Sequence, residues 1–326
     1  MVTSAHLSSH HDGLDLQWGA ATDVGKVRRL NEDSYLDAPG AFVVADGMGG
    51  HQAGDVASRL TIEAVQEMLA EGLPDVGTIG SVVQRANSSV RAHAGAVGQQ
   101  GMGSTLVGAF VVRNADEESI VVVNVGDSRC YAVVDEVMSQ VTKDHSHVQD
   151  LVDAGSITAD AAATHPERNV VTRAIGIEDV VAGDFFVLPA VARLRLLLCS
   201  DGVSGELSFE QIAEMLHSFT DPAEAADALI AAVLQGRAGD NATAIVVDVC
   251  RSPTDEVPST DELDVTGPRP VVPPLDPDIT APAPRMPFPP PDLISFVPNP
   301  PPVTEPAAPE ATLEARTNTI IDDVPR

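Results

Sequence analysis

The sequence predicts an α+β fold, a four-layer α-β-β-α sandwich with two central antiparallel sheets flanked by helix pairs and followed by a tail. Three observations carry that expectation. Short aliphatic runs recur at strand length; amphipathic segments of helical spacing lie between them and come in pairs; and the runs cluster instead of alternating strictly with helices, as a parallel doubly wound sheet would require.

Taken in order, the strand-like runs are 41–47 (AFVVADG), 104–112 (STLVGAFVV), 119–134 (SIVVVNVGDSRCYAVV), 194–202 (LRLLLCSDG) and 242–249 (ATAIVVDV). Their Val and Ile content and brevity suit strands. Ala57, Leu60, Ala64, Val65, Met68 and Leu69 follow helical spacing, as do Ile79, Val82, Val83, Ala86, Val90 and Ala94,. Two further helices are expected in SFEQIAEMLHSF and DPAEAADALIAAVLQG, opened by the capping residues Ser208 and Asp221,.

Of the 25 prolines, 20 lie from Arg251 onward. Such a stretch cannot sustain ladders or long helices, so 1–16 is expected as a flexible N-terminus, 17–250 as the folded domain and 251–326 as a proline-rich, acidic, disordered tail. The formal charge is −29, and in the first 250 residues 14 basic against 35 acidic residues leave −21. That charge disfavours nucleic acid and anionic membrane as partners. Cys130, Cys199 and Cys250 are odd in number and lack a CxxC pattern, which suits reduced core thiols in a cytoplasmic protein. No apolar stretch reaches bilayer length, and the N-terminus lacks the pattern of a signal peptide,.

The aspartates stand at the ends of these runs. Asp46 follows FVVA, Asp127 follows VVVNVG, Asp201 follows LLLCS, Asp240 precedes ATAIVV, and RRLNED (28–33) adds Glu32 and Asp33. One such residue is ordinarily a cap or turn. Several meeting at one place would repel each other by roughly 4 kcal/mol per close pair at an effective dielectric near 20. Such a cluster needs cations, and all-oxygen ligands suit hard divalent ions such as Mg²⁺ or Mn²⁺. Three glycines among Gly47-Met48-Gly49-Gly50 would let a backbone carbonyl and a bound anion come close,.

The ordered motifs VRRLNEDS (27–34), VADGMGGHQAG (44–54), GMGSTLVGA (101–109), NVGDSRCY (124–131), TKDHSHVQDLVDAGSIT (142–158), HPERNVVTRAIG (165–176), CSDGVSG (199–205) and GDNATAIVV (239–247) resemble the metal-dependent serine/threonine protein phosphatases of the protein phosphatase 2C family, bacterial type. The resemblance covers about 17–250. It implies hydrolysis of phosphoserine and phosphothreonine in proteins by a water bridging two divalent metals, Mn²⁺ or Mg²⁺, in opposition to serine/threonine kinases. It assigns Asp46 as the bridging ligand, the Gly47 carbonyl to one metal, Asp201 and Asp240 to the other, and Asp127, sharing Asp201, to a weaker third. Glu32 and Asp33 would orient water, and Arg28 would grip the substrate phosphate.

Where some relatives place a histidine, this chain has Met48, which leaves the proton donor open; His51 reads more simply as a helix cap. Residues 145–175 resemble the family's flap. Ser146, Thr164 and His165 offer no means of choosing a substrate contact, Ser104 and Thr105 read as strand residues, and Arg129 as a salt-bridge partner for one of the carboxylates. The tail reads first as a linker, second as a docking segment for polyproline- or phosphothreonine-reading modules. A monomer is expected. The alternative function is a non-catalytic phosphoprotein-binding scaffold; a nuclease fits the acidic surface poorly.

Overall fold

The computed structural model describes residues 7–11, 14–49, 53–72, 74–114, 117–190, 193–251 and 295–297. In chain order it begins with β1 (Leu7–His11), β2 (Leu14–Asp23), β3 (Asp33–Ala38), β4 (Ala41–Met48), α1 (Ala53–Glu71) and α2 (Val76–Val97). Then come β5 (Gly103–Ser104), β6 (Leu106–Asn114), β7 (Glu117–Val125), β8 (Arg129–Val134), β9 (Val137–Gln140), α3 (His147–Asp153) and α4 (Ala159–Ala163). The chain continues through β10 (Asp184–Pro189), β11 (Leu194–Cys199), α5 (Asp201–Ser204), α6 (Phe209–Ser218), α7 (Pro222–Gln235), β12 (Ala242–Arg251) and β13 (Ser295–Val297). One sheet has the order β1-β2-β12-β11-β8-β9 and the other β13-β10-β7-β6-β4-β3, with β5 on β4. Every pairing in both sheets is antiparallel.

Three apolar layers explain why the strands read as unbroken aliphatic runs: each sheet is buried on both faces. In β4, Phe42 and Val44 point between the sheets, where they meet Leu16, Trp18, Leu196 and Ile245. Ala41, Val43 and Ala45 point the other way, onto the helix layer of α1 and α2. In β12, Ile245 and Val247 face the central layer, while Ala244 and Val246 face Leu229, Ile230 and Val233 of α7. The two-residue period of the pleat sorts each run into two cores. Trp18 meets Phe42 edge-on at 5.4 Å, and truncating Phe42 would cost about 3–5 kcal/mol. The helices are capped as expected: Ser208 and Gln211 form a capping box at α6, and the Asp221 side chain accepts from the Ala223 N–H at α7.

Four expectations need correction. The run 119–134 is two strands in different sheets, β7 and β8. Gly126 divides them at φ +106°, where a Cβ would come within 2.6 Å of the Thr105 side chain. The folded unit starts before residue 17, because Leu14 and Leu16 are 1% and 0% exposed. Within the proline-rich stretch, Ser295–Val297 pairs with Phe185–Val187 of β10; Leu293–Val297 is a proline-free apolar run, so a short ladder forms. Of the cysteines, Cys130 and Cys199 are core thiols, whereas Cys250 is exposed near the end of β12. No helix among the described residues is long and apolar enough to cross a membrane.

Candidate functional site

The antiparallel topology gathers the acid-bearing ends. Asp33 begins β3 and Asp46 lies near the end of β4, and the two are register partners. In the facing sheet, Cys199 at the end of β11 is opposite both Ala244 near the start of β12 and Arg129 at the start of β8. Asp201, Asp240 and Asp127 therefore stand just beyond one common end of that sheet. Asp46 continues the face of Phe42 and Val44, so its carboxylate enters the gap between the sheets, where the apolar filling stops,.

Hydroxyls and amides hold these carboxylates. Asp33 Oδ2 accepts from Ser200 Oγ at 2.8 Å and from Thr243 Oγ1 at 2.7 Å, while Oδ1 is buried without a partner. Thr105 Oγ1 accepts from the Asp46 N–H at 2.9 Å and lies 2.7 Å from Ser128 Oγ, joining β4 to the Asp127 turn. Asn241 binds the Arg28–Asp33 segment: its Oδ1 accepts from the Glu32 N–H at 2.8 Å and its Nδ2 donates to the Val24 and Leu30 carbonyls at 3.0 Å. Gly47 packs so tightly that a Cβ would sit 2.1 Å from the Gly54 carbonyl oxygen and 2.6 Å from that of Glu32. The glycine thus serves backbone approach within the protein.

The electrostatics are those of like charges held together. Burial first, then repulsion from Asp33, Asp201, Asp127 and Asp240, raises the Asp46 carboxyl well above the ordinary range. Burial and the charges of Asp201 and Asp240 push Asp33 up to about 7 against its two hydroxyl donors. Burial with repulsion from Asp201 and Asp144 takes Asp127 to about 7. Asp201 is raised by burial and by the charge of Asp240. Glu32 is raised by burial against the nearby Arg28.

Arg28 donates from Nη2 to Asp240 Oδ2 at 2.6 Å, so two residues expected to act separately satisfy each other. Arg129 turns away from the cluster: it forks onto Asp144 at 2.7–3.0 Å and donates to the Tyr131 hydroxyl at 3.1 Å. Among the described residues, no three Asp, Glu, His or Cys side chains already stand as a chelating group. The donor set nevertheless fits hard divalent cations: it is all oxygen, burial and mutual repulsion raise the proton affinity of Asp33, Asp46, Asp127 and Asp201, and Asp33 Oδ1 is orphaned,.

Thr105, Ser200, Asn241 and Thr243 were missed as site residues. For Ser200, Asn241 and Thr243 the signal was closeness in sequence to Asp201 and Asp240, weak because serine and threonine are common at strand ends; Thr105 carried no such signal, since it meets Asp46 across the sheet. Ser146 is 2% exposed and caps α3, and His165 Nδ1 accepts from the Glu167 N–H. His145 accepts the Gly126 N–H on Nδ1 and meets Asp184 at 3.2 Å, tying the 145–175 segment to the Asp127 turn. His51 lies outside the described residues.

A family model described as Protein phosphatase 2C matches residues 28–235. The serine/threonine phosphatase Stp of Listeria innocua is 35% identical over 239 residues, spanning 70% of this chain and 93% of its own. The serine/threonine protein phosphatase PstP of Mycobacterium tuberculosis is 38% identical over 244 residues, spanning 72% of this chain and 45% of PstP. A crystal structure of the M. tuberculosis serine/threonine phosphatase PstP/Ppp matches with TM-score 0.67 at 37% identity, covering 72% of this chain and 99% of that one. The PstP catalytic domain in complex with two manganese ions matches with TM-score 0.66 at 37% identity, covering 73% and 99%.

Proposed function

The chain belongs to the protein phosphatase 2C family and is a metal-dependent serine/threonine protein phosphatase; we propose that its strand-end carboxylates carry the reaction. The observation behind this is that Asp33, Asp46, Asp127 and Asp201 converge from both sheets with raised proton affinities. The guanidinium of Arg129 is spent on Asp144, and that of Arg28 pairs with Asp240 at the edge of the cluster.

Asp46, with the Gly47 carbonyl, and Asp201 with Asp240 would hold two Mn²⁺ or Mg²⁺ ions, and Asp127 with Asp201 a third more weakly. Bound there, the cations neutralise charge on the phosphoryl oxygens and make water acidic enough to attack at neutral pH. Asp33, fixed by Ser200 and Thr243, offers its free Oδ1 to orient the attacking water, and Glu32, beside Arg28, would do the same,. With Asp240 holding a cation, the Arg28 fork would be free to take two phosphate oxygens. Met48 carries no titratable group and so does not supply the proton to the departing alkoxide.

The test is phosphate release from a phosphothreonine peptide with Mn²⁺. Asp201→Ala should lower kcat roughly 10³-fold, the scale of losing a principal electrostatic stabiliser. Unchanged turnover in that variant would remove these carboxylates from the mechanism.

A further inference from the structure

Beside Arg28 a cavity of about 390 Å³ opens, lined by Arg168, Arg237, Glu206, Asp201 and Asp240 among others. That volume lies in the range of pockets that hold a drug-sized ligand, well beyond a phosphoryl group alone. Three chain segments supply its arginines: Arg28 from the β2–β3 connection, Arg168 from the segment after α4, and Arg237 from the α7–β12 connection.

Two of these guanidiniums are under-used. Arg168 makes no side-chain hydrogen bond or ion pair with another described residue. Arg237 is 79% exposed and only 3.7 Å from Glu206, its one ion-pair partner among the described residues. With Asp201 and Asp240 assigned to cations, the remaining charged lining is three arginines against Glu206. On a chain of net charge −29 this is a local reversal of sign. The acidic surface repels anionic peptides at a distance, so a cationic pocket here would act at contact range, selecting among substrates that arrive.

Resting on the phosphatase reading above, we infer that this pocket receives a second anionic group of the substrate: Arg168 and Arg237 bind a phosphorylated or carboxylate side chain flanking the phosphoresidue whose phosphate Arg28 holds. Guanidinium forks fit a phosphate or a carboxylate with two parallel hydrogen bonds, and a dianionic phosphate gains more than a carboxylate. The preferred substrates are then protein segments carrying clustered phosphorylation.

The experiment uses the full chain with Mn²⁺ and peptides containing one phosphothreonine with alanine, glutamate or a second phosphothreonine two residues away on either side. Ordered kcat/KM values are expected, highest for phosphothreonine, then glutamate, then alanine, with about a tenfold span from one charge-assisted contact. The difference should reside mainly in KM. In Arg168→Ala/Arg237→Ala the ratio of doubly phosphorylated to alanine-flanked peptide should fall to about 1, and Arg237→Lys should keep part of it. If all peptides turn over with equal kcat/KM, or the preference survives the double substitution, the pocket does not read a second anion. A preference for glutamate equal to that for phosphothreonine would place the carboxylate, not clustered phosphorylation, as the ligand. Failure to release phosphate from any peptide would instead overturn the phosphatase reading itself.

Discussion

Two charged clusters lie side by side at the same end of the sandwich, and they are built on opposite terms. Around Arg129 the charges close on themselves: the guanidinium forks onto Asp144, Gln140 donates to the same carboxylate at 3.1 Å, and the Tyr131 hydroxyl accepts from Nη1. Burial would lower the Arg129 pKa, yet Tyr131 and Asp144 hold it well above its usual value. Two residues earlier in sequence begins the other cluster, in which Asp127, Asp201, Asp46 and Asp33 confront one another and every proton affinity rises. The first cluster is complete in protein atoms and serves the fold. The second is incomplete without an external cation, and that deficit is what a metal-dependent site requires.

The comparison breaks most visibly in activity. Asp46→Asn should reduce phosphopeptide turnover by roughly 10³-fold or more while leaving the metal-free protein at least as stable, since it removes one of several repelling charges. A kinetic assay paired with thermal melts separates the two effects. Arg129→Met should do the reverse. It strands Asp144, which is 9% exposed, and should cost about 2–3 kcal/mol. That is below the figure for a fully buried pair because Arg129 itself is 30% exposed. Urea unfolding would measure the loss.

Acidity sharpens the contrast next. Because Asp33 and Asp127 titrate near 7 in the folded chain and near 3.8 unfolded, the folded state binds more protons across that window. Stability of the metal-free protein must therefore fall as pH rises from about 4 to about 7, on the order of 3 kcal/mol per group. Melting should be several degrees higher at pH 5.5 than at pH 7.5, and Mn²⁺ should abolish the difference by raising the pH 7.5 value. A melting temperature flat across this window would deny the repulsion. A smaller effect belongs to Thr105→Val, which removes the acceptor for the Asp46 N–H and should cost about 1 kcal/mol and weaken Mn²⁺ affinity about tenfold,. The smallest concerns the distant sheet edge. Ser295→Pro disrupts the β13 pairing opposite Val187, so the amides of β10 should exchange faster by mass spectrometry, with no change in metal binding,.

Most of this was legible because it depends on local composition. Aliphatic runs buried on both faces announce strands, Ser208 and Asp221 announce helix starts, and aspartates at strand ends announce the acidic cluster. What escaped depends on distant pairing. Nothing local separates β7 from β8, since both are valine-rich and only the turn at Gly126 sends them to different sheets. Asn241 looks like any residue after an aspartate until its side chain is seen spanning to Val24, Leu30 and Glu32, more than two hundred residues away. Arg28 was read as free to take phosphate, and its pairing with Asp240 follows from where the β2–β3 connection crosses the start of β12.

The central claim is that the aspartate cluster holds protons in place of cations, and the direct measurement is the number of protons released when the metal-free protein binds Mn²⁺ near pH 6. Calorimetry in two buffers of different ionisation enthalpy gives that number together with the stoichiometry. With Asp33 and Asp127 titrating near 7 and Asp46 and Asp201 also raised, saturable binding should expel about one proton or more per chain, with the release shrinking toward pH 8 and diminished in Asp46→Asn,. Binding without proton release, or no saturable binding at all, would contradict it.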